Sequence, residues 1–249
     1  MAGMALVSLF VMAPMLPSIV RGQSDNAPDK QDLFVESISE EFTGLANAVR
    51  DGEALSTQLL EANAGWVGGD MPWAGAGTFT VATGSVAAPD PARRAVTVLV
   101  RVEDGIPVEP ALFADEVLAT LNDPRAWGPI DGVSFARTDD DAAADIVMTL
   151  ASPATTDLLC GELPTNGYTS CGRGRPVNIN GDRWVEGAAP FMDAGGTIEE
   201  YRAYVINHEV GHSLSHAHES CPAPGALAPV MLQQTLTVGT CVPNGWPNP

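Results

Sequence analysis

The stretch HEVGHSLSHAH, His208 to His218, holds all four histidines of a 249-residue chain. On an α-helix, positions i and i+4 share a face about 6 Å apart, so His208 and His212 present two imidazoles to one point in space. Imidazoles so placed close on one metal ion at roughly 2.0–2.1 Å, the length of a zinc–nitrogen bond. Glu209 projects about 100° around the helix from His208, beside such an ion rather than onto it. A carboxylate there can take a proton from a metal-activated water. The residues leading in favour a helix: Ile198, Tyr201, Tyr204 and Val205 recur at helical spacing, and Thr197 with Glu200 matches a capping box. The spacing predicts a helix over 197–214.

A catalytic zinc site takes three protein ligands and leaves a fourth position for water. His216 lies on the same face as His212, but along one helix axis it is about 12 Å from His208, and three collinear side chains cannot converge on one ion. It reads as a surface histidine or one supporting the ligands. His218 comes within reach if the helix stops near Ser215 and the chain turns back. A distant acidic third ligand is excluded, because the only acidic residue after His212 is Glu219. Cys221 is a weaker choice, since a thiolate would fill and neutralise a site that hydrolysis needs open. The expected ligands are therefore His208, His212 and His218 around Zn2+. The pattern HExxHxxSxxH differs at one position from the HExxHxxGxxH signature of metzincin peptidases.

Residues 95–249 resemble an uncharacterised bacterial family of secreted or membrane-anchored proteins with a metzincin-like zinc-peptidase domain. The matching segments are LNDPRAWG (121–128), MTLASPATTDLLCG (148–161), RAYVINHEVGHSLSHAH (202–218), CPAPGALAPVM (221–231), QQT (233–235) and CVPNGWP (241–247). The resemblance implies a zincin-type fold and brings no substrate with it. Metzincins carry a methionine in a turn beneath the ligands, and Met231 stands where that turn is expected, as a polarizable apolar floor. Ser215 departs from the pattern. Glycine serves there because the chain leaves the helix at positive φ, and a side chain in that conformation costs about 1 kcal/mol.

The cysteines fall as Cys160 with Cys171 and Cys221 with Cys241. Four cysteines allow three pairings; the nearest-neighbour one closes a loop on either side of the active-site helix. Even, paired usage favours an oxidising compartment. Residues 1–22 agree, for MAGMALVSLFVMAPMLPSIV carries no charge before Arg21 and suits a signal peptide or one membrane anchor. Export follows, with the protein either secreted or held at the outer face of the cytoplasmic membrane. Residues 23–75 read as a polar linker, helical patterns over Phe34–Val49 and Glu53–Ala62, and a Gly- and Trp-rich loop over 65–77.

Residues 76–249 then form the catalytic domain. Strand candidates are Thr78–Thr83, Ala95–Val102, Gly132–Arg137, Asp145–Leu150 and Pro176–Asn180, with a helix over Pro110–Leu121. This order implies an α+β fold: a mixed, mostly parallel sheet carrying both helices, and a short irregular C-terminal subdomain. The net charge of −19 argues against nucleic acid and anionic membrane surfaces as partners. The Asp139–Asp141 run reads as a solvated turn in preference to a calcium loop.

The expected function is that of a zinc metallopeptidase acting on a peptide or protein substrate. Zinc would lower the pKa of its water towards about 7. Glu209 would take the proton and pass it to the leaving nitrogen, with Gln233 or Tyr204 as candidate helpers for the oxyanion. Two alternatives use the same residues: a non-catalytic zinc-binding module of the cell envelope, and an amidase or esterase acting on cell-wall material.

Overall fold

The computed structural model describes residues 63–249 throughout and, ahead of them, residues 49, 50, 52, 54–56 and 58, all helical. The leader, the linker and most of the helical pattern over Phe34–Val49 lie outside the described residues. The chain divides into two units, Met1–Gly52 and Glu53–Pro249, and the second holds the sheet, the helices packed on it and all four histidines.

Strand β2 (Arg94–Glu103) is the axis of the sheet. Its run RAVTVLVRVE is buried over most of its length, which is the pattern of a strand covered on both faces. One side of β2 pairs in parallel with β4 (Ile146–Ala151). Its other side is shared between β3 (Val133–Arg137), parallel to its first half, and β1 (Phe79–Val81), antiparallel to its end. Beyond β4 lies β6 (Pro176–Asn180), parallel, and then β5 (Cys171–Gly172), antiparallel and at the margin. The result is an α+β fold on a mixed, mostly parallel six-stranded sheet.

Helix α1 (Pro110–Leu121) packs on β2 and β3 and touches α6 (Ile198–Ser213), which in turn lies on β5 and β6. Short helices fill the connections: α2 (Gly128–Asp131), α3 (Pro153–Cys160), α4 (Gly181–Glu186) and α5 (Ala189–Met192). Trp184 of α4 is fully buried; it meets Phe113 of α1 edge-on, and its carbonyl accepts from Arg202 Nε of α6 at 2.9 Å. The three helices thus join at one aromatic cluster. The run Asp139–Asp141 forms a capped turn whose carboxylates go to separate partners: Gly84 N, Ala142 N and Arg175.

Residues 214–249 contain no helix or strand, so their backbone groups need other partners. Two buried amides supply several. Gln234 donates to Asn244 O and accepts from Asn244 N, while Asn244 Nδ2 donates to Ala228 O. The disulfide Cys221–Cys241 closes this segment, and Cys160–Cys171 ties the end of α3 to β5. Each cross-link stabilises by about 3 kcal/mol through the chain entropy it removes from the unfolded state. Among the described residues no helix is long and apolar enough to cross a membrane.

Glu103 ends β2 with a carboxylate only 1% exposed. It accepts from Ser152 N, Ser152 Oγ, Thr155 Oγ1 and Gly77 N at 2.7–2.9 Å. Burial pushes its pKa up, but these hydrogen bonds outweigh it and hold the group below 4.5. A carboxylate with a depressed folded pKa contributes stability above its unfolded pKa and loses it as pH falls through the folded value. Glu103→Ala should therefore cost at least about 3 kcal/mol in urea unfolding at neutral pH, because it leaves four donors without their acceptor. The cost should shrink below pH 4; an equal cost at all pH values would contradict the assignment.

Candidate metal centre

Helix α6 begins with a complete capping box. Glu200 N–H donates to Thr197 Oγ1 at 3.2 Å, and Thr197 N–H donates to Glu200 Oε2 at 2.9 Å. From Tyr201 to Gly211 every residue is buried, the sheet lying on one side and the C-terminal segment against another. Asn207 Nδ2 donates to Gly245 O at 3.0 Å, and Gly245 sits so near the helix that a Cβ there would lie 2.6 Å from Glu200 O.

The helix ends at Ser213, and the chain turns through Ser215 at φ +79°. The turn is closed by His216 N–H donating to Gly211 O at 2.9 Å. It carries His218 back over the helix, so that ligand atoms of His208, His212 and His218 all lie within 4.8 Å of one another. Nε2 of His212 and Nε2 of His218 are 3.1 Å apart. His208 Nδ1–H donates to Val230 O at 2.8 Å, and His212 Nδ1–H donates to His216 O at 3.0 Å. Both rings are thereby held as the tautomer whose Nε2 carries a lone pair. A tetrahedral ion with bonds of about 2.0–2.1 Å sets its donors about 3.4 Å apart; the His212–His218 pair is near that spacing and His208 lies within 4.8 Å, so the donor set suits zinc in kind.

His216 stays out of this cluster. Its ring stacks on Trp127 with centroids 4.1 Å apart, and Nε2 meets Asp131 Oδ2 at 2.9 Å. The side chain thus pins the segment whose carbonyl orients His212. Met231 is fully buried beneath the helix. A Cβ on Gly211 would lie 2.5 Å from Met231 Sδ and 2.7 Å from Trp127 Cζ2, so glycine is what lets these groups approach. The turn also braces both ends of the ligand set: Val230 O accepts from His208, and Met231 O accepts from Glu219 N–H beside His218.

His208, Glu209, His212 and His218 line a cavity of about 660 Å³ together with Tyr168, Gly172, Gln233 and Leu236. Glu209 reaches it from the helix. Burial raises its pKa to about 8, against a weaker pull from the Gly172 N–H. His208 is pushed down to about 3 by burial, with His212 and His218 adding to the effect and the Val230 hydrogen bond opposing it. His218 is lowered by burial and by His212. Tyr204 does not serve as an oxyanion donor as the sequence suggested. Its hydroxyl donates to Leu232 O at 3.2 Å and accepts from Gln234 N–H at 2.9 Å, so its hydrogen atom is already committed. Sequence reasoning missed Gly172 and Tyr168, which sit in or near a strand too short for any periodicity, and the Asp131 partner of His216, 85 residues away.

Two outcomes are expected. Ser215→Gly removes the positive-φ cost and should raise the melting temperature by about 2–4 °C, the equivalent of about 1 kcal/mol; no change would show that Ser215 is unstrained. In the metal-free protein, His208 stays neutral down to about pH 3 while its unfolded counterpart protonates near 6.5, so stability rises with pH between those values. Glu209 keeps its proton up to about pH 8 against 4.5 when unfolded, so its contribution falls over that range. The slopes oppose each other between pH 4.5 and 6.5, leaving a loss of stability from pH 6.5 to 8 that Glu209→Gln should abolish. Urea titrations at those two pH values measure it.

A family model described as "Protein of unknown function (DUF3152)" matches residues 66–247. No curated protein and no solved structure matches the chain. With the family match running over residues 66–247, well over half of the chain, the protein belongs to the DUF3152 family.

Proposed function

We propose that the chain is a zinc metallopeptidase of metzincin-like architecture, with His208, His212 and His218 holding the ion and Glu209 as general base. The observation that carries this reading is the pairing of three converging imidazoles with a buried carboxyl in an open cleft. Zinc, when bound there, supplies a Lewis acid that acidifies water and polarises a carbonyl. Glu209 takes the proton from the attacking water and returns it to the leaving nitrogen. Its raised pKa suits the second role, and a cation nearby would lower it for the first. Strand β5 ends the sheet and lines the cleft, so its free edge offers backbone groups to an extended peptide. Tyr168 and Gln233 are the cleft-lining side chains whose polar groups suit a developing oxyanion.

A non-catalytic zinc module accounts less well for Glu209. Burying a carboxyl with little to bond to costs stability and returns nothing structural. An amidase or esterase would use the same groups and differ in the cleft. The two disulfides suit an oxidising compartment, and we infer export, by secretion or by anchoring through residues 1–22.

The decisive comparison is the zinc-loaded full chain against Glu209→Gln on a mixed peptide library, with zinc content measured in both. Glu209→Gln should keep its metal and lose about 10²–10⁴-fold in cleavage rate. His212→Ala should lose the metal as well. A wild-type protein that binds zinc and cuts nothing, or a Gln variant that cuts equally well, would sink the proposal.

A further inference from the structure

The turn after β5 carries two arginines with opposite fates. Arg173 and Arg175 flank Gly174, whose φ of +65° turns the chain back into β6. Arg175 is tied to the body of the domain: Nη2 lies 2.8 Å from Asp141 Oδ1 and donates to Asp141 O at 2.6 Å, and Nε donates to Ala144 O at 3.2 Å. Arg173 lines the cleft and is exposed, and among the described residues its side chain has no carboxylate or hydrogen-bond partner. Its backbone alone is engaged, with N–H donating to Pro176 O at 3.0 Å.

Arg173 also sits close to the chemistry. The residue before it, Gly172, touches the backbone of the general base, for a Cβ on Gly172 would lie 2.2 Å from Glu209 O. Arg183 reinforces the charge from behind the wall. Its guanidinium lies 4.4 Å from the ring centre of Tyr168, which lines the cleft, and Arg183 is only 8% exposed with no ion pair among the described residues. Arg183 has Asp182 to offset it in part, whereas Arg173 faces no carboxylate, and Glu209 is the only acidic residue among the described residues that line the cleft. This stands against a chain with 31 acidic and 12 basic residues. Arg173, on a protein with so many carboxylates, takes none of them among the described residues.

We propose that Arg173 is a specificity-determining residue that selects substrates bearing a carboxylate within about two residues of the scissile bond, the reach of a strand added along β5. The inference rests on the peptidase reading. The carboxylate is either an Asp or Glu side chain or a free C-terminus, and both present the planar acceptor that a guanidinium matches. Because the group is exposed, the pair acts mainly in the approach and binding of substrate, and so in KM rather than kcat.

The test uses the zinc-loaded full chain, Arg173→Gln, Arg173→Glu and, as a control outside the cleft, Arg175→Gln. The probes are acetylated, amidated peptides with Asp or Asn at each position in turn, the neutral peptide with a free C-terminus, and dipeptide hydroxamates that differ only in Asp against Asn. The wild type should favour the carboxylate member by about fivefold in kcat/KM and in hydroxamate affinity at low salt. This preference should fade towards about 1 M salt, where the Debye length is about 3 Å. Arg173→Gln should abolish it, Arg173→Glu should invert it in favour of basic peptides, and Arg175→Gln should retain it. Equal binding of the Asp and Asn hydroxamates to wild type, or an undiminished preference in Arg173→Gln, overturns the inference and leaves the peptidase reading standing. Failure of every peptide to be cut and of every hydroxamate to bind overturns both.

Discussion

A buried helix needs partners for the polar groups it carries, and α6 carries several, of which Asn207 Oδ1 and Ser213 Oγ find none among the described residues. Burial runs from Tyr201 to Gly211 and includes Arg202, Asn207, His208 and Glu209. Arg202 is answered by the Trp184 carbonyl, Asn207 by that of Gly245 and His208 by that of Val230. These acceptors come from α4, from the chain end and from the turn at Met231, so the fold converges on this helix from three directions. Each bond is worth only about 1 kcal/mol net, but leaving its donor unmet would cost more than the bond returns. Glu209 has the Gly172 N–H to bond to, and burial raises its pKa, which leaves the carboxyl suited to the role proposed for it.

The irregular segment 214–249 is the counterpart of that requirement. Regular structure would use its carbonyls on itself, whereas an irregular turn can aim Val230 O and Met231 O at the ligand segment. Its own needs are then met by side-chain amides, with Gln234 and Asn244 taking the roles that a strand neighbour would have. The disulfide Cys221–Cys241 holds the arrangement where the hydrophobic core is thin, around Ala228 and Val238.

Much of this was legible in the sequence because it is local. The capping box at Thr197, the i,i+4 pair His208 and His212, the turn required before His218, and helix α1 all follow from spacings of a few residues. Strands β2, β3, β4 and β6 were legible from their apolar runs, to within one residue at each end. What escaped depends on contacts between distant parts of the chain. Strand β5 is two residues long and exists because Cys171 and Gly172 lie beside β6 and on α6. The burial of Glu103 could not be read from a strand whose end resembles a solvated turn. His216 could be read only as a surface or a supporting histidine, because its partners, Trp127 and Asp131, belong to another helix and the loop before it. Tyr204 looked available because its acceptor, Leu232 O, lies in the irregular segment.

The way these contacts are distributed determines how metal and folding are coupled. In small zinc domains the ion supplies most of the folding free energy, since the ligands have nothing else to hold them. Here His208 is fixed by Val230, His212 by His216, and the segment bearing His218 by the Met231 carbonyl and the stacked His216 ring. None of those bonds uses a ligand atom that faces the centre. The three imidazoles are therefore brought together by the protein's own contacts, and His212 and His218 meet in a hydrogen bond between their Nε2 atoms at 3.1 Å. An ion bound there, as proposed, would order little else, so its binding energy would go into affinity. On that reading the metal would exchange without unfolding the chain, as a site proposed for chemistry requires and a purely structural one does not.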